Sequence, residues 1–260
     1  MSDLREPLPK RTHLLYELGG LVFILVAWQL VAMKVNSIAI LPTPLEVIGS
    51  FPELHFQDLI VINTLYSIRI NLLGYLWAIV LALPLGFALG LFTPLGAIFN
   101  RFLEAIRYIP LTAVTGLFIA WFGIYMNMKV QFLAFGIFVY LLPVVVERVK
   151  ELDEVYVQTA QTLGASKWQI ITRVFLPGVL SRVSDDIRVL TAISWTYIIV
   201  AELVNNEGGI GALIFRASRQ SRLDKVFAGL FVIILIGVIQ DKIFIWLDRH
   251  VFKYKYATDK

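Results

Sequence analysis

Residues 153–178 read DEVYVQTAQTLGASKWQIITRVFLPG. Asp153 is placed to cap a helix N-terminus, along which Tyr156, Ala160 and Leu163 fall at i, i+4 and i+7 as a narrow apolar stripe. Gly164 stands where a helix commonly ends in a left-handed glycine. Ser166 with Gln169 three residues on has the spacing of a capping box, which starts a second helix. Trp168, Ile171 and Phe175 give that helix an apolar face, and Leu176-Pro177-Gly178 predicts its stop. Helix, glycine turn, helix, proline stop describes a compact elbow within the segment 148–184. On physics alone it reads either as two amphipathic helices lying on a lipid leaflet or as a dock for a soluble partner.

Outward from the elbow the chain is strongly apolar. Of its 260 residues, 58% are hydrophobic and 16% charged, against roughly a quarter charged in soluble domains. A bilayer is therefore the expected solvent. Six runs approach the length of a spanning helix: 14–34, 66–92, 108–126, 130–147, 185–204 and 226–247. Pro84 lies inside the second, where it predicts a kink, and Gly86 with Gly90 predicts close approach of a neighbouring helix. The first run follows a polar N-terminus and precedes no cleavage signal, so it is expected to stay in place. Leu41 to Leu45, followed by Val47, Ile48, Phe51 and Leu54, predicts a short amphipathic segment at the outer interface.

Lysine and arginine set the orientation. Arg5, Lys10 and Arg11 precede the first run; Arg101 and Arg107 lie between the second and third. Arg148, Lys150, Lys167, Arg173 and Arg182 lie between the fourth and fifth, and Arg249, Lys253, Lys255 and Lys260 follow the sixth. The expected fold is all-α, with six transmembrane helices and both termini cytoplasmic. Residues 1–13 form an N-terminal tail, 14–250 a single transmembrane domain, and 251–260 a C-terminal tail. The segment 205–225 breaks the charge rule, since Arg216, Arg219, Arg222 and Lys225 fall on the external side.

At the elbow the residues resemble a known family. Gln158-Thr159-Ala160, then Gly164, then Val174-Phe175-Leu176-Pro177 are similar in order and spacing to the EAA signature of binding-protein-dependent ABC importer permeases. Ala160, Gly164, Leu176 and Pro177 match outright, and Val174 is a conservative replacement. Gln158 and Thr159 stand where the signature has Glu and Ala. Leu41-Pro42-Thr43-Pro44, Arg107-Tyr108-Ile109-Pro110, Trp121-Phe122-Gly123-Ile124, Leu163-Gly164-Ala165-Ser166, Ala201-Glu202 and Gly208-Gly209-Ile210-Gly211 resemble the nitrate/sulfonate/taurine-type branch. The resemblance implies a type I ABC importer permease bundle. Its elbow, with Gln158, Thr159, Ala160, Gly164, Ala165, Ser166, Leu176 and Pro177, would be the coupling helix docked on a separate ABC ATPase. It also implies an extracytoplasmic substrate-binding protein, a second permease chain (identical or paralogous) and a small anionic solute such as nitrate, bicarbonate, a sulfonate or taurine.

Ionisable and hydroxyl groups inside spans are candidates for a path. At helical pitch Thr191, Trp195 and Glu202 share one face of the fifth run, with Ser194 beside it, and Thr112 and Thr115 are near one another in the third. The hydroxyls can equally bond within their own helix, and Glu202 can equally pair with an arginine of 205–225. Gly208, Gly209 and Gly211 allow tight backbone turns and form a candidate outer gate. Arg69 and Asn71 are expected to snorkel at the outer end of the second run, and Asp241 to find a partner near the inner end of the sixth.

The chain has no cysteine and three histidines, His13, His55 and His250, none central to a span. No Gly-x-x-x-x-Gly-Lys-Ser/Thr or His-Glu-x-x-His pattern occurs. The expectation is a transport subunit, not an enzyme, without metal or cofactor of its own and with ATP-Mg bound by its partner. Its basic residues serve the bilayer, not nucleic acid. The alternative is a stand-alone secondary transporter or channel, for which inverted repeats and buried coupling charges would be the sign. A membrane scaffold would use the elbow but leave the glycine-rich segment unexplained.

Overall fold

The computed structural model describes residues 9–204 and 207–256, apart from the side chains of Lys10 and Arg11. Arg5 and Lys260, used above for orientation, lie outside the described residues. The elements in order are α1 (Lys10–Val35), α2 (Pro44–Gly49), α3 (Phe51–Phe56), α4 (Ile60–Leu91), α5 (Thr93–Ile106), a 3-10 turn (Leu111–Val114) and α6 (Thr115–Phe122). There follow α7 (Met126–Lys150), α8 (Glu154–Thr162), α9 (Lys167–Ile170), a π-turn (Ile171–Phe175), α10 (Leu176–Glu202), α11 (Ile210–Arg219), α12 (Leu223–Val251) and a 3-10 turn (Lys253–Tyr256).

Four of these helices are long and apolar enough to cross a membrane: α1 from Thr12, α4, α7 and α12. The expected third span is not one helix. Residues 93–106 and 111–122 are both helical but bent by 95° at the break, because Pro110 lacks an amide proton and cannot continue the α5 ladder. The expected loop around Arg101 is thus itself α5. The fifth expected span lies within α10, whose 27 residues extend about 40 Å. Its charges are placed mostly in the first half, at Arg182, Asp185, Asp186 and Arg188.

The chain divides into two compact units. One takes in the chain up to Ile60 together with Ile214–Phe231. There Thr43 and Glu46 form a reciprocal capping box that starts α2, and Val47 and Leu54 turn inward as the only buried residues of α2 and α3. The Trp28 indole donates to the Pro42 carbonyl at 2.9 Å and stacks on Phe227. Arg222 binds Glu53 and Asp224, each at 2.8 Å, and Lys225 binds Glu53 at 2.7 Å and Asp58 at 2.6 Å.

The other unit spans Val61–Leu213 and Val232–Lys260, of which residues 257–260 lie outside the described residues. Helices α4 and α7 meet at glycines: a methyl on Gly74 would overlap Leu133, on Gly86 would overlap Val145, and on Gly90 would overlap Val149. Both members of each pair advance together, so the two helices run parallel. Residues 92–125 must therefore return the chain from one end of the unit to the other, bend included. Helix α10 runs antiparallel to both, with Ser67 bonded to Glu202, Asn71 to Ser194, and Arg148 to Asp186. Phe118 packs edge-on to Phe132 at 5.5 Å and pins α6 against α7.

Pro177 does not stop the second elbow helix. Helix α9 passes through the π-turn into α10, with the Leu176 amide reaching the Ile171 carbonyl five residues back. The widened turn places Pro177 at a seam where an amide proton is not required. Asn71 does not snorkel either; it is buried and donates to Ser194 at 2.9 Å.

Candidate functional site

At one end of the second unit, the N-terminus of α11 is held by side chains from other helices. The first amides of any helix lack internal partners. Here the Gly209 amide donates to Asn63 Oδ1 at 2.9 Å, the Ile210 amide to Ser67 Oγ at 2.9 Å, and the Gly211 amide to Glu202 Oε2 at 2.7 Å. Ser67 in turn donates to Glu202 Oε1 at 2.6 Å. Asn63 and Ser67 stand one turn apart near the start of α4, and Glu202 is the last residue of α10, so the clasp joins two antiparallel helices to the glycine-rich turn. A carboxylate at a helix N-terminus is also favoured by the helix dipole.

The glycines are required by shape. Gly208 has φ +134 and Gly209 φ +110, and a methyl on Gly209 would collide with the Glu202 carboxyl group. Glu202 and Ser67 are fully buried. Glu202 pairs with no arginine among the described residues; serine and amide donors take that place.

Lys129, near the start of α7, is also fully buried and was not singled out in the sequence, because it precedes the fourth apolar run by one residue. Its Nζ has no hydrogen-bond partner among the described residues and lies 5.2 Å from the centre of the Tyr66 ring. An ammonium over an aromatic face gains electrostatic attraction, and the charge of Glu202 also acts on it. The discoverable signal was one lysine flanked by Met126, Met128 and Val130 at the same end as an unpaired glutamate.

The remaining path candidates separate into two groups. Thr191, Ser194 and Trp195 are buried. Thr191 and Ser194 bond backward to carbonyls of Ile187 and Thr191, and Trp195 donates to Gln240 at 2.9 Å. Thr112 is exposed and Thr115 half-buried, on the bent segment. No hydrogen bond joins the two groups among the described residues. Asp241 does find a partner, forming a two-pronged pair with Arg188.

At the opposite end of the same unit the elbow has the expected local chemistry. Asp153 caps α8 through the Val155 amide. Gly164, at φ +79, ends it: the Gly164 amide returns to the Gln161 carbonyl and the Ala165 amide to that of Ala160, the double bond of a Schellman motif. Ser166 and Gln169 cap each other. Val155, Tyr156, Leu163 and Trp168 are 59–82% exposed, a large apolar surface for a polar loop. Gln158 and Thr159 are exposed on α8, with the Thr159 hydroxyl returned to the Val155 carbonyl.

Residues 59–253 match the family described as the binding-protein-dependent transport system inner membrane component. A putative aliphatic sulfonates transport permease protein, SsuC, of Bacillus subtilis is 30% identical over 237 residues, covering 91% of this chain and 86% of that protein. The taurine transport system permease protein TauC of Escherichia coli is 28% identical, covering 90% and 86%. The bicarbonate transport system permease protein CmpB of Synechococcus elongatus is 25% identical, covering 97% and 94%. In fold, the chain is similar to the inward-facing MetNI methionine ABC transporter, with TM-score 0.64 at 15% identity over 74% of this chain and 95% of that one. An amino acid ABC transporter with histidines gives TM-score 0.54 at 15% identity over 78% and 97%.

Proposed function

The chain belongs to the family of binding-protein-dependent transport system inner membrane components, and from that premise we propose how its parts divide the work. It is a multi-pass permease subunit of an ABC importer in the inner membrane, and ATP hydrolysis belongs to a separate subunit. The solute is a small anion of the sulfonate, taurine or bicarbonate kind, as the names of the relatives indicate for those proteins. The chain crosses the membrane six times with both termini cytoplasmic. Parallel α4 and α7 with antiparallel α10 support that count, because the bent 93–122 segment then makes one crossing and α10 another.

The elbow faces the cytoplasm and docks on the ATPase. The observation that carries this reading is the exposed apolar group Val155, Tyr156, Leu163 and Trp168, mounted on a turn rigidified by a Schellman motif and a capping box. Gln158 gives the dock a neutral polar contact in place of a charged one. Two permease chains enclose the path between them. Thr112 and Thr115, with the exposed α10 stripe of Arg182, Asp185, Val189, Ala192 and Thr196, line it. Thr191, Ser194, Trp195 and Glu202 support that wall from behind. The Glu202 clasp with Gly208, Gly209 and Gly211 is the outer gate. ATP-driven closure of paired ATPases pushes the elbows, and α10, as one continuous rod, carries the movement to the clasp. A loaded binding protein delivers solute to the outward-open path, and hydrolysis resets it.

Affinity purification of the tagged chain from native membranes in mild detergent tests this. Co-purification of a Walker-motif ATPase, lost when 153–177 are scrambled, is the expected result. Recovery of the chain alone, moving solute in liposomes without ATP, would favour a stand-alone transporter.

A further inference from the structure

Beyond the elbow, the end of the described chain is tied to the foot of α10. Lys253–Tyr256 form a single 3-10 turn after α12. The Tyr254 hydroxyl donates to the Pro177 carbonyl at 2.6 Å. The Lys255 ammonium reaches Asp185 at 2.7 Å, Asp248 at 3.0 Å and the Ser181 carbonyl at 3.2 Å. The Tyr256 hydroxyl donates to Asp248 at 2.6 Å. Burial works against the Lys255 charge, but Asp185 and Asp248 outweigh it and hold the ammonium above the ordinary lysine range.

The place of attachment matters more than the number of bonds. Pro177 follows the π-turn Ile171–Phe175, a single-turn interruption of the regular helical hydrogen-bond ladder of the kind often found at functional sites. Tyr254 also walls a cavity of about 810 Å³ shared with Tyr156, Ala160, Leu163 and Val174 of the elbow. Without a brace, a push on the elbow would be spent in the π-turn and would not reach α10. The geometry points to Tyr254 and Lys255 as positioning residues of the coupling machinery: they clamp the elbow–α10 junction to the end of α12, so that all three move as one piece. This rests on the elbow being the ATPase dock.

The experiment uses the complex of this chain with its ATPase in nanodiscs. The chain has no native cysteine, so a single Ala192→Cys carries an environment-sensitive fluorophore on the exposed face of α10. ATP addition changes its emission in the parent. Tyr254→Phe/Lys255→Ala removes the Pro177 bond and the three Lys255 contacts, so the change falls at least roughly fivefold, the factor that even one lost hydrogen bond is worth, while the ATPase still co-purifies. Lys255→Arg keeps most of the response. A full response in the double variant with the complex intact overturns the proposal. If the double variant does not assemble, Tyr254→Phe alone, which removes one hydroxyl, decides it by the same reading. Silence in the parent overturns the clamp alone, whereas an ATPase that still co-purifies after 153–177 are scrambled overturns the docking reading, and the clamp with it.

Discussion

The Glu202 carboxylate accepts the Gly211 amide at 2.7 Å, joining the last residue of α10 to the second residue of α11 across the glycine turn. Its other oxygen takes the Ser67 hydroxyl from α4. One buried side chain thus fixes three elements, and it can do so only because Gly209 offers no side chain in its way. An expensive buried carboxylate becomes a joint because its donors are built in.

Gly209→Ala is therefore expected to break the joint. An L-residue at positive φ costs about 1–2 kcal/mol, and the added methyl meets the Glu202 carboxyl group. Melting of the purified chain in detergent should show a loss of at least about 2 kcal/mol, beyond that backbone cost alone. Gly116→Ala, at a helical glycine with open space around it, serves as control. Equal melting of the two variants would remove Gly209 from the clasp.

Lys129 and Glu202 are both fully buried near the same end of the unit and act on one another electrostatically. Removing either charge strands the other in a dry interior. Lys129→Met and Glu202→Gln should each destabilise. The double variant should cost less than their sum by about 1–2 kcal/mol, the size of coupling seen between interacting sites. Additive losses would mean that the two charges are independent.

Legibility in the sequence followed range. The Asp153 cap, the Gly164 turn and the Ser166–Gln169 box were readable because each is settled within a few residues. The close packing promised by Gly86 and Gly90 was also readable, though not that Val145 and Val149 would fill it. The clasp was not, since Ser67 and Glu202 lie far apart in the chain and a glutamate near 205–225 offers arginine as the obvious partner. Pro177 misled because a π-turn moves the hydrogen-bond register ahead of it, which composition does not reveal. The bend at Pro110 was hidden by apolar residues on both sides.

In the first unit, Arg222 and then Lys225 bind the Glu53 carboxyl and hold it down at about 2, against an ordinary 4.5. A carboxyl depressed on folding contributes its stability above the unfolded value and loses it as pH falls toward the folded one. The contribution should be complete above about pH 4.5 and drain between there and about pH 2. Melting temperature against pH should fall more steeply across that window in the parent than in Glu53→Gln, which should already be lower at neutral pH. Parallel curves would show that the Arg222 pair contributes nothing.

Two substitutions at Gly164 separate the shape of the elbow from its mere presence. Proline demands φ near −65°, whereas Gly164 sits at +79 and its amide bonds the Gln161 carbonyl. Gly164→Pro thus loses both the left-handed turn and a bond of the Schellman motif, and with them the fixed angle between α8 and α9. Gly164→Ala keeps the amide and meets nothing within 4 Å, so it suffers only the positive-φ strain of about 1–2 kcal/mol. With insertion into the membrane equal in both, ATPase co-purification should be lost with proline and largely retained with alanine. Equal retention would show that the partner does not read the elbow's shape. Equal loss would show that it needs the glycine for closeness of approach, and the dock would then centre on Gly164 itself, not on Tyr156, Leu163 and Trp168.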